Sequence, residues 1–89
     1  MLTWEDCVAL SELTPEEIEA IAMHEHCPEM IAAELGHYLL ETPGGERRIR
    51  AMIRDDIRHA QACDDHCRAA RLKEVLRHFV EAHRPKHRA

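Results

Sequence analysis

The fold of this chain is decided by residues 46–72, which carry the sequence ERRIRAMIRDDIRHAQACDDHCRAARL. In the first part of this stretch, apolar residues recur every three or four positions, which is the spacing of one face of an α-helix. These residues are Ile49, Met52, Ile53, Ile57 and Ala60. Asp64-Asp65 then offers an N-cap for a second helix that extends to about His83.

The second helix has its own inward residues, which are Ala69, Leu72, Leu76, Phe79 and Val80. This face is out of phase with the first by more than a third of a turn, at about 100° per residue. Residues 46–83 therefore cannot form one straight rod. We predict an antiparallel helical hairpin with a very short turn.

Two capping boxes predict the starts of two helices upstream of this hairpin. Thr3 followed by Asp6 begins a short helix over roughly residues 4–12. The second start is Thr14-Pro15-Glu16-Glu17. Here the threonine is the N-cap, the proline occupies the first helical position, and the last glutamate completes the box. The helix that follows places three apolar residues on one face, Ile18, Ile21 and Ala22.

Pro28 and the loop at residues 42–45 divide the chain that remains. The apolar residues after Pro28 are rotated by roughly 120–140° from those before it, so the chain must turn or kink there. The predicted inward residues of this third helix are Ile31, Leu35, Tyr38 and Leu39. Thr42-Pro43-Gly44-Gly45 is the clearest loop signal. These signals predict an all-α protein, a compact bundle of four to five short helices ending in the hairpin.

Length and composition are those of one small folded domain. The 89 residues are 45% apolar and 33% charged, which favours a globule over a disordered chain. We predict a single domain over residues 1–83 and a basic, frayed tail over residues 84–89.

No apolar run approaches the ~20 residues that span a bilayer. The N-terminal segment carries Glu5 and Asp6 and lacks the basic region of a signal peptide. We therefore expect a cytoplasmic protein with reduced cysteines.

Charge is divided unequally between the two halves of the chain. Residues 1–45 contain ten acids and no Lys or Arg, a formal charge of −10. Residues 46–89 contain seven acids and twelve bases, a formal charge of +5, and the sum is the net charge of −5. One hypothesis is that the halves pack together and partly neutralise each other. The other is that the basic half binds an acidic partner, or that two chains associate through opposite patches.

An arginine stripe lies on one outward face of the helix that follows the loop. Its members are Arg47, Arg50, Arg54 and Arg58. Such a stripe is typical of a solvated face, and its functional interpretation is a docking surface for an acidic protein or for nucleic acid phosphates. The net charge of −5 and the absence of interleaved aromatic residues argue against nucleic acid.

The helix register also predicts that potential metal ligands gather at one end of the bundle. They are His24, Glu25, His26, Cys27, Asp56, His59, Cys63, His66 and Cys67. Imidazole, thiolate and carboxylate are the ligands of Zn²⁺, and of iron when carboxylates dominate. Glu25 and Asp56 fall at the centres of apolar stripes, where a carboxylate needs a partner or a metal ion.

The interpretation we favour is that His or Arg side chains within the bundle pair with the two acids. The alternative is a candidate zinc or iron site formed by Glu25, His26, Asp56 and His59, which Cys63 or His66 could complete. Asp56-x-x-His59 and Glu34-x-x-His37 also resemble the paired motifs of di-iron bundles, but His37 projects away from the apolar face of its helix. The sequence lacks a nucleophile elbow and a phosphate-binding glycine loop, so we expect neither an enzyme nor an organic cofactor.

Several strings resemble a group of short uncharacterised bacterial all-helical proteins. They are Leu13-Thr14-Pro15-Glu16-Glu17-Ile18, His24-Glu25-His26, Gly36-His37-Tyr38-Leu39, Asp55-Asp56-Ile57 and Val75-Leu76-Arg77-His78-Phe79. The resemblance covers nearly the whole chain. It implies a stand-alone bacterial cytosolic protein and implies no activity.

The sequence as a whole favours a small non-catalytic protein-interaction or regulatory module. The aromatic-poor core and the divided charge indicate a protein partner or a homo-oligomer, of which the two-fold homodimer is the commonest form. The alternative function is that of a helical bundle that binds zinc or iron at the His, carboxylate and Cys site.

Overall fold

The computed structural model describes residues 3–83, except for the side chain of Cys7. This part of the chain contains five α-helices and no strand, so the predicted all-α class is confirmed. The helices are α1 (Trp4–Ser11), α2 (Pro15–Glu25), α3 (Glu29–Leu40), α4 (Gly45–Ala62) and α5 (His66–Ala82). The predicted basic tail at 84–89 lies outside the described residues. No helix within the described range is long and apolar enough to cross a membrane.

Both predicted capping boxes are formed. The Thr3 side chain accepts a hydrogen bond from the Asp6 backbone N–H at 3.1 Å, and α1 begins at the next residue after Thr3. Thr14 accepts from the Glu17 N–H at 3.1 Å, while the Glu17 carboxylate accepts from the Thr14 N–H at 2.9 Å. These bonds satisfy backbone donors that the first turn of a helix leaves unpaired.

The predicted turn at Pro28 is also present. α2 ends at Glu25, because His26 adopts a left-handed conformation with φ of 58°. Pro28 is the N-cap of α3. The two helices pack against each other at an angle, instead of forming the straight rod that would have left one apolar face in water.

α4 packs against α2, α3 and α5, and its contact with α5 is the most extensive between any two helices. α1 lies against α3. α4 and α5 form the predicted hairpin, and the Asp65 side chain caps α5 by accepting from the Arg68 N–H at 3.1 Å. The Cα atoms occupy 40 × 37 × 17 Å, a flat shape about two helical layers thick. A flat bundle leaves the outward sides of its helices uncovered.

The core is aliphatic and agrees with the predicted faces of α2 and α4. Its fully buried large side chains are Ile18, Ile21, Leu39, Ile49, Ile53 and Phe79. In α5, Ala69, Leu72 and Phe79 are buried as predicted. Val75 is buried too, whereas Leu76 and Val80 are only half-buried.

The predicted inward face of α3 was wrong for two residues. Ile31 is 51% exposed and Tyr38 is 63% exposed. The buried face of α3 consists instead of Ala32, Ala33, Gly36 and Leu39. The reason is close packing. A Cβ at Gly36 would overlap the Leu13 side chain and lie 3.2 Å from Ile21 Cδ1, so only a small residue fits between these helices.

Candidate functional site

The end of the bundle where ligands were predicted contains a cleft between α2, α4 and α5. This histidine cleft, of about 290 Å³, is lined by Met23, His24, His26, Asp55, Asp56, His59 and Arg68. Of the four residues predicted to form the metal site, three line this cleft: His26, Asp56 and His59. Glu25, Cys63 and His66 do not line the cleft.

His24 makes two polar contacts in the cleft, and one of them joins α2 to α4. Its Nδ1 donates to Glu25 Oε2 at 2.8 Å, and its Nε2 donates to Asp55 Oδ2 at 3.1 Å. An imidazole that donates from both nitrogens to carboxylates carries a positive charge. Partial burial opposes that charge, but the hydrogen bonds that His24 donates to Glu25 and Asp55 and the nearby charge of Asp56 outweigh it and raise the pKa of His24.

The two aspartates of α4 have opposite environments. The hydrogen bond with His24, and to a lesser degree the ion pair with Arg58, lowers the pKa of Asp55. Burial raises the pKa of Asp56, although the positive charges of His24, Arg68 and His59 act against it. No described residue donates a hydrogen bond to Asp56 Oδ2, which is buried. The acids that accept from histidine are thus Glu25 and Asp55, not the predicted pair of Glu25 and Asp56.

The predicted burial of Glu25 was also wrong. Its side chain is 38% exposed. Its helical position does follow the stripe of Ile18, Ile21 and Ala22, as expected. However, α2 ends at this residue, so the last position of the stripe lies at the surface of the bundle, where Glu25 contacts His24.

The described residues hold no preformed ligand set for a metal ion. Between residues 3 and 83, no group of three or more His, Cys, Asp or Glu side chains is arranged to bind one. The His59 Nε2 to Cys63 Sγ distance is 3.9 Å, and His66 lies 4.0 Å from Asp64 on an exposed turn. His37 Nε2 lies 3.6 Å from Glu41 Oε2, one turn further along α3.

Metal removal should therefore leave the protein's stability unchanged. We expect the melting temperature of protein purified without a His-tag to be the same with and without a chelator. Metal-binding free energy is part of the folding free energy, so a real site would show a loss of stability on chelation. Stoichiometric zinc or iron by elemental analysis, together with such a loss, would instead support the site at Glu25, His26, Asp56 and His59.

The His24 contacts predict a pH dependence of stability. Because the folded state raises the pKa of His24, its contribution is complete below the unfolded value near 6.5 and is lost as the pH rises through the folded value. We expect His24→Gln to cost a few tenths to about 1 kcal/mol at pH 6, as for other partly exposed pairs, and less at pH 9.

Urea unfolding of both proteins across this pH range measures the difference. His66→Gln is the matched control, because His66 is exposed and has only a long contact with Asp64. The raised pKa values of Glu17 and Asp56 also make wild-type stability fall with rising pH. The effect of His24 is therefore measured as the difference in free energy of unfolding between the wild type and His24→Gln at each pH. A difference that is constant from pH 6 to 9 would contradict this assignment.

Glu17 is a buried acid that the sequence identified only as a helix cap. It is 2% exposed, and burial raises its pKa, against the opposing effects of the Thr14 hydrogen bond and the charges of His83 and His78. Its position beside Ile18 at the start of the apolar stripe was the signal for burial. Because its carboxylate accepts from the Thr14 N–H, its role is structural.

A second surface feature is an exposed apolar stripe on α3. Ile31, half-buried Leu35 and Tyr38 follow one another at the spacing of one helix face, with Glu34 and Glu41 beside them. We call these five residues the α3 outer face. Tyr38 is the only tyrosine of the chain, and most of it is in solvent. Large apolar side chains that lie together on a surface are typical of an interaction site.

The arginine stripe forms a third feature, on the outward side of α4. Arg58 pairs with Asp55 of its own helix. Within residues 3–83, the other three members, Arg47, Arg50 and Arg54, have no carboxylate at ion-pair distance. Arg47 and Arg50 border a shallow depression of about 260 Å³ next to Leu40.

The opposite charges of the two halves are not paired directly within the described chain. The ion pair that links residues 3–45 to residues 46–83 joins His24 to Asp55. Its basic member belongs to the acidic half of the chain and its acidic member to the basic half, which is the reverse of the net charges of the two halves. No described Lys or Arg pairs with an acid of the first half. The hypothesis of mutual neutralisation therefore has no support from ion pairs among residues 3–83.

Comparison of the chain with models of protein families, with curated proteins and with solved structures finds no match.

Proposed function

We propose that this chain is a small, non-catalytic protein-interaction module, and that the α3 outer face is the surface that binds its partner. The observation that carries the proposal is the exposure of Ile31 and Tyr38. Fully burying one large apolar side chain is worth about 1.5–3 kcal/mol, and this chain leaves two of them largely in water on one helix face. Tyrosine is also among the residues that most often dominate binding energy at interfaces.

The charge beside the stripe specifies the chemistry of the partner. Glu34 and Glu41 lie along it, and among residues 3–83 neither carboxylate pairs with a Lys or Arg, while His37 lies 3.6 Å from Glu41. The whole first half of the chain carries no Lys or Arg. A partner that meets this face therefore has apolar side chains flanked by arginine or lysine, as in an amphipathic basic helix.

A designed peptide tests this proposal. The probe is a fluorescently labelled amphipathic helix with leucine at positions i, i+3 and i+7 and arginine on both flanks. We expect saturable binding by fluorescence anisotropy with a micromolar dissociation constant, about −8 kcal/mol. The Ile31→Ser/Tyr38→Ser variant should bind at least tenfold more weakly, a loss of about 1.4 kcal/mol.

Two controls make the result specific. Met23→Ser removes an apolar residue that is 48% exposed in the histidine cleft between α2, α4 and α5, and should bind like the wild type. A scrambled peptide of the same composition should bind weakly. Equal binding of both peptides, unchanged in the double variant, would contradict the proposal.

A further inference from the structure

We infer that the partner is a second copy of this chain, and that the arginine stripe of one copy binds the α3 outer face of the next. This inference rests on the proposed function, because it identifies the occupant of the same face. It differs from the two-fold homodimer that the sequence suggested, since two different surfaces meet.

The first support is charge complementarity. The α3 outer face presents Glu34 and Glu41 to solvent, and among residues 3–83 the one basic side chain in contact with either carboxylate is His37, 3.6 Å from Glu41. The arginine stripe presents three arginines without an acidic partner in the described chain. One copy therefore offers two acids that have no Lys or Arg partner among its described residues, and the other copy offers three arginines that have no acidic partner there.

The second support is the match of dimensions and side-chain types. Arg47 to Arg58 spans about 16 Å and Ile31 to Glu41 about 15 Å, at 1.5 Å per helical residue. Arginine is the cation that stacks best on an aromatic face, so it suits exposed Tyr38. Its aliphatic stem covers apolar surface such as Ile31 while the guanidinium reaches a carboxylate.

Like faces cannot meet as favourably. A contact between two arginine stripes would oppose arginines, and a contact between two α3 outer faces would oppose Glu34 and Glu41. Within one copy the two faces are not paired, because among residues 3–83 no arginine of the stripe forms an ion pair with Glu34 or Glu41. The contact is thus heterologous, and it generates head-to-tail chains or closed rings.

Sedimentation equilibrium of two complementary variants tests the inference. The α3 variant is Ile31→Ser/Tyr38→Ser, and the stripe variant is Arg47→Glu/Arg54→Glu; all four positions are exposed. At low salt, the wild type should show a concentration-dependent mass above the 10.3 kDa of one chain. In about 1 M salt, where the screening length is about 3 Å, it should return toward one chain.

Each variant alone should be monomeric, and an equimolar mixture should form a dimer and nothing larger, because each variant brings one intact face. Circular dichroism confirms that both remain folded. Arg71→Glu/Lys73→Glu on α5 makes the same charge change away from the stripe and should associate like the wild type.

A wild type that is monomeric at every concentration and salt would overturn the inference, as would variants that still associate or that fail to pair when mixed. If the amphipathic peptide nevertheless binds and the Ile31→Ser/Tyr38→Ser variant does not, only the identity of the partner is refuted. If the peptide also fails, the proposed function fails with it.

Discussion

Gly45→Ala is expected to destabilise the protein by about 3 kcal/mol or more. Gly45 is the buried first residue of α4, where the chain passes against the last turn of α3. A Cβ there would overlap the carbonyl of Leu39 and lie 2.9 Å from the Leu39 Cα. Overpacking typically costs about 1–3 kcal/mol, and these obstacles are backbone atoms that no rotamer change can move aside.

Gly44→Ala is the matched control for this variant. Nothing lies within 4 Å of a Cβ at Gly44, but its φ of 80° is left-handed. The cost is therefore backbone strain alone, about 1–2 kcal/mol. Urea denaturation of both variants measures the two losses. A loss at Gly45 no larger than that at Gly44 would mean that α3 and α4 are not packed as closely as described.

Phe79→Ala is expected to cost about 3–5 kcal/mol, the largest loss of any single truncation in the chain. Phe79 is fully buried in α5, and it is the largest side chain of the core. A domain of this size has a total stability of roughly 5–15 kcal/mol, so the variant should be close to unfolding at 37 °C.

Two comparisons separate the cavity from other effects. Phe79→Leu refills most of the volume and should cost about 1.5 kcal/mol or less. Leu10→Ala removes a residue that is 58% exposed and should change stability by at most about 0.5 kcal/mol. Similar losses at Phe79 and Leu10 would contradict the position of Phe79 at the centre of the core.

Local signals predicted the helices well. Thr3, Thr14 and Asp65 cap the helices they were expected to cap, and Pro28 lies at the predicted turn. Each of these signals acts through bonds or steric contacts within four residues, which a sequence shows directly. The buried face of α4 was also predicted correctly, because five apolar residues at helical spacing define one face of that helix.

The faces of α3 could not be predicted from hydrophobicity alone. Large apolar residues at Ile31 and Tyr38 indicated one face, whereas the structure buries the smaller Ala32, Ala33 and Gly36. Which face is buried depends on how closely α1 and α2 approach, and that is a property of the assembled bundle. Ile31 and Tyr38, which the sequence predicted to be buried, belong to the surface that we propose binds the partner.

The candidate site was predicted in outline and not in detail. The helix register brought His24, His26, Asp56 and His59 to one cleft. It did not distinguish Asp55 from Asp56 as the partner of His24, because neighbouring residues on α4 differ by 100° in direction and the choice depends on where α2 ends.

Backbone NMR mapping with the arginine-flanked amphipathic peptide tests the central claim most directly. If the α3 outer face is the binding surface, the ¹H–¹⁵N resonances that shift on addition of the peptide will centre on residues 30–41, around Ile31 and Tyr38. The resonances of α5 and of the histidine cleft will stay in place. Shifts that centre on the cleft at His24 and His59, or a spectrum that the peptide leaves unchanged, would contradict the claim.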